Sequence, residues 1–153
     1  MSLAAAGPKA FILLGRSKSK LEPVISEINA IDSKITVTFV QADFLDNASI
    51  RKAGEEINSI DATIDSVIFS AGIMAVREFQ TSKDGIETQF AANYVGHFLL
   101  ANLILGKVAK NSTFVTVTSE GYELSEVRFD DYNFQVSHFD CLIENSNINI
   151  IVS

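Results

Sequence analysis

At 153 residues, with 47% apolar and 20% charged side chains, the chain has the size and the material of one globular domain with a buried core. A formal charge of -7 argues against a surface that coats a nucleic-acid backbone, so nucleic acid is not an expected partner, while a local phosphate site built from backbone N–H groups stays open. The single cysteine, Cys141, cannot form an internal disulfide, and with only His97 and His138 beside it no zinc-type ligand set is expected. No apolar run approaches the roughly 20 residues that span a bilayer, and the first seven residues lack the basic start of a secretory leader, which predicts a soluble, cytoplasmic chain without a membrane span.

Residues 9–14 (KAFILL) form a short apolar run between Gly-Pro and Gly-Arg-Ser, the form of a strand buried on both faces of a parallel sheet. Ser17 then caps a segment in which Leu21, Val24, Ile25 and Ile28 recur at helical spacing, with Pro23 in its first turns. Residues 35–40 (ITVTFV) read as a second strand, and Asp46 or Asn47 opens a helix running to about Ile60. A third strand is predicted over residues 64–69, ending in the small-residue turn Ser70, Ala71, Gly72 and an irregular stretch to Lys83. The longest helix is expected over residues 84–107, its inward face formed by Ile86, Phe90, Asn93, Tyr94, His97, Phe98, Ala101, Ile104 and Leu105. Residues 113–118 (TFVTVT) give a fourth strand. Strand–helix alternation with short connections predicts an α/β fold, a Rossmann-like doubly wound parallel sheet with helices on both faces. After Gln135 the pattern fades, leaving residues 136–153 as a divergent tail with one apolar run at 148–152.

Open α/β sheets bind ligands beyond the carboxyl ends of their strands. Arg16 and Ser17 follow the first strand, as a guanidinium and hydroxyl that can hold a phosphate or as a solvated helix start. Asp43, with Phe44 beside it, follows the second and suits either an adenine amino group or an ordinary turn. Ser70 to Gly72 permit close approach of a flat ligand or simply a tight turn. Ser119, after the fourth strand, can orient a carbonyl or alcohol oxygen, or form a turn. Asn93 must find partners for an inward-facing amide: water, backbone or a proton relay.

The string AGIMA at 71–75, followed by Thr81, Asp84, Gly85, Glu87, Gln89, Phe90, Asn93 and then GHFLL at 96–100, resembles the retinol-dehydrogenase-like branch of the short-chain dehydrogenase/reductase family. The resemblance extends from Ala4–Gly7 through Arg16, over the Asp43 turn and TVTS at 116–119, to VRFDDYN at 127–133, roughly the first 135 residues. It implies hydride transfer between a nicotinamide cofactor, NADP(H) rather than NAD, and a small carbonyl or alcohol substrate. Position by position it implies Arg16, with Ser17, as the NADP-selecting group, Asp43 and Phe44 on the adenine side, and Ser70, Ala71 and Gly72 as the cofactor-lining turn. Asn93 and Ser119 correspond to catalytic residues.

The chain also departs from the family pattern. The family's first strand and glycine-rich pyrophosphate loop should precede Leu3, and its Tyr-x-x-x-Lys pair should follow Ser119. Here Tyr122 is followed at the fourth position by Glu126, and Tyr132 by Val136; Ser70 replaces the first Asn of the Asn-Ala-Gly turn. The chain therefore reads over residues 1–153 as a single partial NAD(P)-binding Rossmann domain, truncated at both ends, with weak cofactor binding and impaired or absent turnover. A family sheet of order 3-2-1-4-5 without its first strand has a hole at its middle, to be filled by residues 148–152, by a homo-oligomer or protein partner at the exposed edges, or by re-pairing of the visible strands. The alternatives are a non-catalytic fragment serving as a protein-interaction module, and a mispredicted gene product whose change after Gln135 marks a lost reading frame or splice boundary.

Overall fold

The chain is seen in a computed structural model that describes residues 2–74, 76–118 and 129–134. β1 (Ala10–Gly15) pairs in parallel with β2 (Thr36–Gln41), from Ala10 opposite Thr36 to Gly15 opposite Gln41. A parallel neighbour needs a crossover, which α2 (Lys18–Ile31) supplies. With the short α1 (Ser2–Ala5), α2 covers one face of the pair: Ala4, Ile28 and Ile35 are buried against Phe11, Leu13, Val24 and Val37. Ile12 and Leu14, on the opposite side of the pleat, join a second and larger cluster. Burial on both faces explains why β1 is an unbroken apolar run rather than an alternating one.

The larger cluster is assembled by helices. Asp46 caps α3 (Asn47–Ser59), its carboxylate accepting from Ala48 N and Ser49 N, and Ile50, Ala53, Gly54 and Ile57 form the buried stripe. That stripe meets Val40 and Ala42 from the first strand pair, and Phe69 from β3 (Ile64–Phe69), together with Leu100 and Ile104 from α5 (Gly96–Ile104). The helices approach closely at Gly54, where a Cβ would lie 3.0 Å from Leu103 Cβ. The loop before α5 is tied to α3 by the Lys83–Asp46 ion pair and by hydrogen bonds from Lys83 N to Leu45 O and from Asn47 N to Asp84 Oδ2. Lys83 is the main cause that holds the Asp46 carboxyl below its ordinary range, seconded by the Ser49 N–H.

β3 pairs in parallel with β4 (Val108–Thr116), Ile64 opposite Val108 and Ser66 opposite Thr113, with a bulge between. The two pairs do not join: the described strands form two two-stranded sheets, β1-β2 and β3-β4. The interruption expected at the middle of the sheet is therefore present, and the visible strands have not re-paired across it. Residues 148–152, expected as one means of closing it, lie outside the described residues, as does the rest of the tail from Gln135. The β3-β4 pair is covered less well than its neighbour, leaving Ile68, Phe114 and Val115 exposed.

The long helix differs from expectation in its start, its regularity and its face. It begins at Thr88 rather than Asp84, because the Glu87 carboxylate caps it by accepting from Gln89 N and Phe90 N. α4 (Thr88–Phe90) passes into a π-helical turn (Ala91–Val95) before α5, and a 3₁₀ turn (Leu105–Lys107) ends it. A π turn inserts one residue into the helical repeat and rotates the turns beyond it, so a single 3.6-residue stripe cannot run through. The buried residues are accordingly Thr88 and Gln89 before the π turn, Ala91 and Ala92 within it, and Gly96, His97, Leu100 and Ile104 beyond it, while Phe98 and Leu105, expected inward, are 62% and 56% exposed.

Gly96 marks the tightest seat of this helix. A Cβ there would lie 2.7 Å from Phe44 Cδ1, 3.1 Å from Ile50 Cδ1 and 3.2 Å from Ala91 O. Gly96→Ala should gain up to ~1 kcal/mol of helix propensity and lose ~1–3 kcal/mol to overpacking, so its urea midpoint falls below that of the parent chain. An unchanged or higher midpoint would show that the helix is not seated this way.

Candidate functional site

The carboxyl ends of the strands are held in register within each pair. Ala42 N donates to Gly15 O and the Gln41 amide to Arg16 O at the ends of β2 and β1, and Val117 N donates to Phe69 O at the ends of β4 and β3. Across the gap between the pairs, the connection is made by side chains of the long helix. The His97 ring meets Phe44, which follows β2, edge to face at 4.7 Å, and Phe69, which ends β3, at 5.1 Å. One turn earlier, Asn93 pairs with the backbone of Ile73 in both directions: its Oδ1 accepts from Ile73 N and its Nδ2 donates to Ile73 O, both at 2.8 Å.

Asn93 thus resolves the choice of partners for its amide in favour of backbone, and it fixes the turn Ser70, Ala71, Gly72. A Cβ on Gly72 would lie 3.2 Å from Asn93 Oδ1, so glycine is what lets the turn close on the helix. The π turn containing Asn93 is where the helix departs from regular geometry. Asn93 O lies 3.0 Å from His97 Nδ1; since a carbonyl only accepts, the neutral ring carries its proton on Nδ1. Its Nε2 is buried and meets no hydrogen-bond partner among the described residues. Burial lowers the His97 pKa below the ordinary 6.5, against the smaller opposing effect of the Asn93 carbonyl.

At the end of β1 the residues gather differently. Gly15, Arg16, Ser17, Lys20 and Leu21 line an open pocket of about 470 Å³ at the start of α2. Ser17 occupies the N-cap position of α2 as expected but makes no capping hydrogen bond; its hydroxyl is 2.8 Å from that of Ser19. The first turn carries Lys18 and Lys20, with Arg16 just upstream, and no acidic residue. Cations at the positive end of a helix each cost about 0.3–1 kcal/mol, a placement that favours an anion in the pocket. Lys20 was not singled out from the sequence: Arg16 lies before the extended N-cap Ser17 and Lys20 in the first turn of α2, and the fold of that junction brings both to the pocket.

The other expected site residues fall unevenly around this frame. Asp43 is engaged in a turn, its Oδ1 accepting from Leu45 N and its own N–H donating to the Ser49 hydroxyl, so the turn role is realised. Phe44 is half-buried against the core and His97. Ser70, Ala71 and Gly72 are exposed at the end of β3, open to a ligand. Ser119 lies outside the described residues. A contact with no clear sign in the sequence comes from Asn133, whose Oδ1 accepts from Glu87 N at 2.6 Å and whose Nδ2 donates to Gly85 O at 3.1 Å, while Tyr132 packs on Phe90. It latches a segment 46 residues downstream onto the start of the long helix. No group of three or more His, Cys, Asp or Glu among the described residues is arranged to hold a metal ion, and no helix among them is long and apolar enough to cross a membrane.

The profile of the short chain dehydrogenase family matches residues 1–133. Retinol dehydrogenase 12 of Bos taurus is 33% identical over 131 residues, which are 84% of this chain and 41% of that protein. Polyprenol dehydrogenase of Homo sapiens is 32% identical over 126 residues, 78% of this chain and 38% of that protein. The chain thus spans about two-fifths of the length of these relatives. An uncharacterised protein from Mycobacterium Paratuberculosis superposes with a TM-score of 0.73 at 27% identity, covering 90% of this chain and 47% of its own. A metagenomic blue fluorescent protein in complex with NADPH superposes with a TM-score of 0.66 at 19% identity over 95% of this chain and 55% of its own, a likeness of fold.

Two outcomes test this geometry. The unfolded chain takes up a proton at His97 near pH 6.5, whereas the folded chain resists it until a lower pH; the folded state is the form with fewer bound protons between the two values. The stability contributed by neutral, buried His97 is complete above about pH 6.5 and declines as pH falls toward the lowered folded value. Urea unfolding followed between these pH values should show a steeper loss for the parent than for His97→Gln. Asn93→Ala should cost about 1–3 kcal/mol by leaving the Ile73 N–H and C=O without partners, read as a lower urea midpoint together with faster amide exchange at Ile73.

Proposed function

Because the chain belongs to the short-chain dehydrogenase family, we propose that it derives from an NADP-dependent oxidoreductase acting on a small carbonyl or alcohol, and that it keeps the part of the site that holds the cofactor's adenosine end. The observation that carries this reading is the placement of Arg16, Ser17 and Lys20 around one pocket at the start of α2, with no acidic side chain in that turn. NAD carries a ribose hydroxyl where NADP carries a phosphate, and an acidic residue is the usual partner of that hydroxyl. A guanidinium and an ammonium in its place favour the phosphate. Asp43 and Phe44 bound the adenine side, and Ser70 to Gly72 face the cofactor further along the strand ends.

The fit is partial. Among the 153 residues there is no glycine-rich loop for the pyrophosphate and no Tyr-x-x-x-Lys pair after Ser119. The nicotinamide group, when bound, supplies the hydride; from this chain Asn93 holds the turn beside it and Ser119 is the candidate to orient the substrate oxygen. The proton donor that such a reaction needs has no counterpart here, and general acid–base catalysis is typically worth about 10²–10⁴ in rate. The isolated chain should therefore bind better than it turns over. A second reading, a non-catalytic interaction module, is favoured by one observation of its own: the strand pairs stay apart, leaving edges on which another chain can add a strand.

Calorimetric titration separates the two. On the cofactor reading NADPH binds more tightly than NADH by about tenfold or more, ~1.4 kcal/mol, and Arg16→Ala removes most of that difference while keeping the fold. Absence of heat with either nucleotide at concentrations on the order of millimolar leaves the interaction module. Steady reduction of an aldehyde or ketone by the isolated chain would refute the expectation of impaired turnover.

A further inference from the structure

We propose that Ser19 is a phosphorylation site, and that its phosphate occupies the Arg16–Lys20 pocket and excludes the phosphate of NADP. Ser19 is exposed, on the first turn of α2, and its hydroxyl lies 2.8 Å from that of Ser17, which lines the pocket. Arg16 stands three residues before it and Lys18 and Lys20 on either side, all exposed, a pattern of cations that an Arg-directed protein kinase can read. Among the described residues none of these three cations forms an ion pair; the salt bridge seen is Lys83 with Asp46. Their charges stand at the positive end of a helix whose first turn has neither an acidic residue nor a side-chain cap. A phosphoserine dianion there meets free helix N–H groups and two kinds of cation, the setting in which phosphorylation forms new charge-assisted hydrogen bonds.

The step is an ordinary phosphoryl transfer from Mg·ATP. Ser19 Oγ attacks the γ-phosphorus, the Oγ–P bond forms, and the bond from that phosphorus to the β-bridging oxygen breaks with its electron pair leaving on ADP. The hydroxyl proton passes to the kinase's carboxylate base. The covalent phosphate then lies within hydrogen-bonding distance of Ser17 and within reach of Arg16 and Lys20, where a second dianion is repelled. NADH, which brings no phosphate to that pocket, is affected less. The consequence for NADP rests on the function proposed above; the modification and the seating of its phosphate do not.

The full chain is incubated with Mg·ATP and the catalytic domain of a calcium/calmodulin-dependent protein kinase, and the modified residue is located by mass spectrometry, with Ser19→Ala as control. In parallel, the chain is made with phosphoserine encoded at position 19 and titrated by ³¹P NMR. Stoichiometric labelling at Ser19 is expected, with a second phosphate ionisation below the ordinary value of about 6 that returns toward it in denaturant and in the Arg16→Ala/Lys20→Ala variant. Labelling elsewhere, no labelling, or a phosphate that titrates alike in the folded and denatured chain overturns the proposal. By calorimetry the phosphorylated chain should bind NADPH about tenfold or more weakly than the unmodified chain, ~1.4 kcal/mol, with a smaller change for NADH; equal NADPH affinities overturn the exclusion. If the unmodified chain binds neither nucleotide, the proposed function fails while the labelling and NMR results still decide whether the phosphate is held.

Discussion

The whole arrangement depends on a joint made by side chains where a backbone joint is missing. The strand pairs β1-β2 and β3-β4 share no ladder hydrogen bonds, and a two-stranded ribbon alone is marginal in water. What holds them as one body is the cluster in which α3 and the long helix lie across both, with Ile50, Ile57, Leu100 and Ile104 at its centre. At the end where a ligand would bind, the joint narrows to His97, wedged between Phe44 from one pair and Phe69 from the other. Desolvation of that ring is the cost of the wedge; the aromatic contacts and the Asn93 carbonyl offset it.

This division explains what could be seen in the sequence. β1, β2 and β3 were legible within one residue because their apolar runs are bounded by glycine, proline and polar turns, and α3 because Asp46 and the Ile50, Ala53, Ile57 spacing give a start and a stripe. The long helix was legible as a helix but not in its face, since the π turn at Ala91–Val95 breaks the repeat from which a face is inferred. Its start was misplaced because Asp84 resembles a cap, whereas Glu87 performs that role and Asp84 instead reaches back to Asn47 N. β4 was legible only from Thr113, because Lys110 and Asn111 interrupt the run where the bulge sits.

The site was legible to a different degree in its two parts. Arg16 and Ser17 could be chosen because position after a strand and chemistry point the same way, and the structure adds Lys20 by closing one turn of helix. Asp43 shows the opposite case. Its residue type suits a ligand and a turn equally, and the hydrogen bond from Leu45 N to its Oδ1 shows that the turn uses one of its two carboxylate oxygens. Asn93 could be chosen but not explained, since its partner Ile73 is 20 residues away and depends on how the loop folds back. Asn133 was not chosen at all, for a related reason: its partners are 46 and 48 residues distant.

The same joint bears unequally on the two ends of an extended ligand. The pocket from Gly15 to Leu21 is made within one strand pair and one helix, steadied by Gln41 on Arg16 O and by Ala42 on Gly15 O. Small relative shifts of the two pairs leave its geometry unchanged. Ser70 to Gly72 belong to the other pair, and their distance from the pocket is set by the shared core of α3 and the long helix and, nearest the strand ends, by the packing of Phe44, His97 and Phe69. Packed side chains settle into a few discrete arrangements more readily than a hydrogen-bonded ladder, whose register is fixed by every residue along it. The proposed seat for a phosphate at the first end is thus a local feature of α2 and β1, whereas alignment of reacting groups at the second end, where an error of about 1 Å can cost on the order of 10²-fold in rate, depends on side-chain packing between two strand pairs that share no ladder hydrogen bonds.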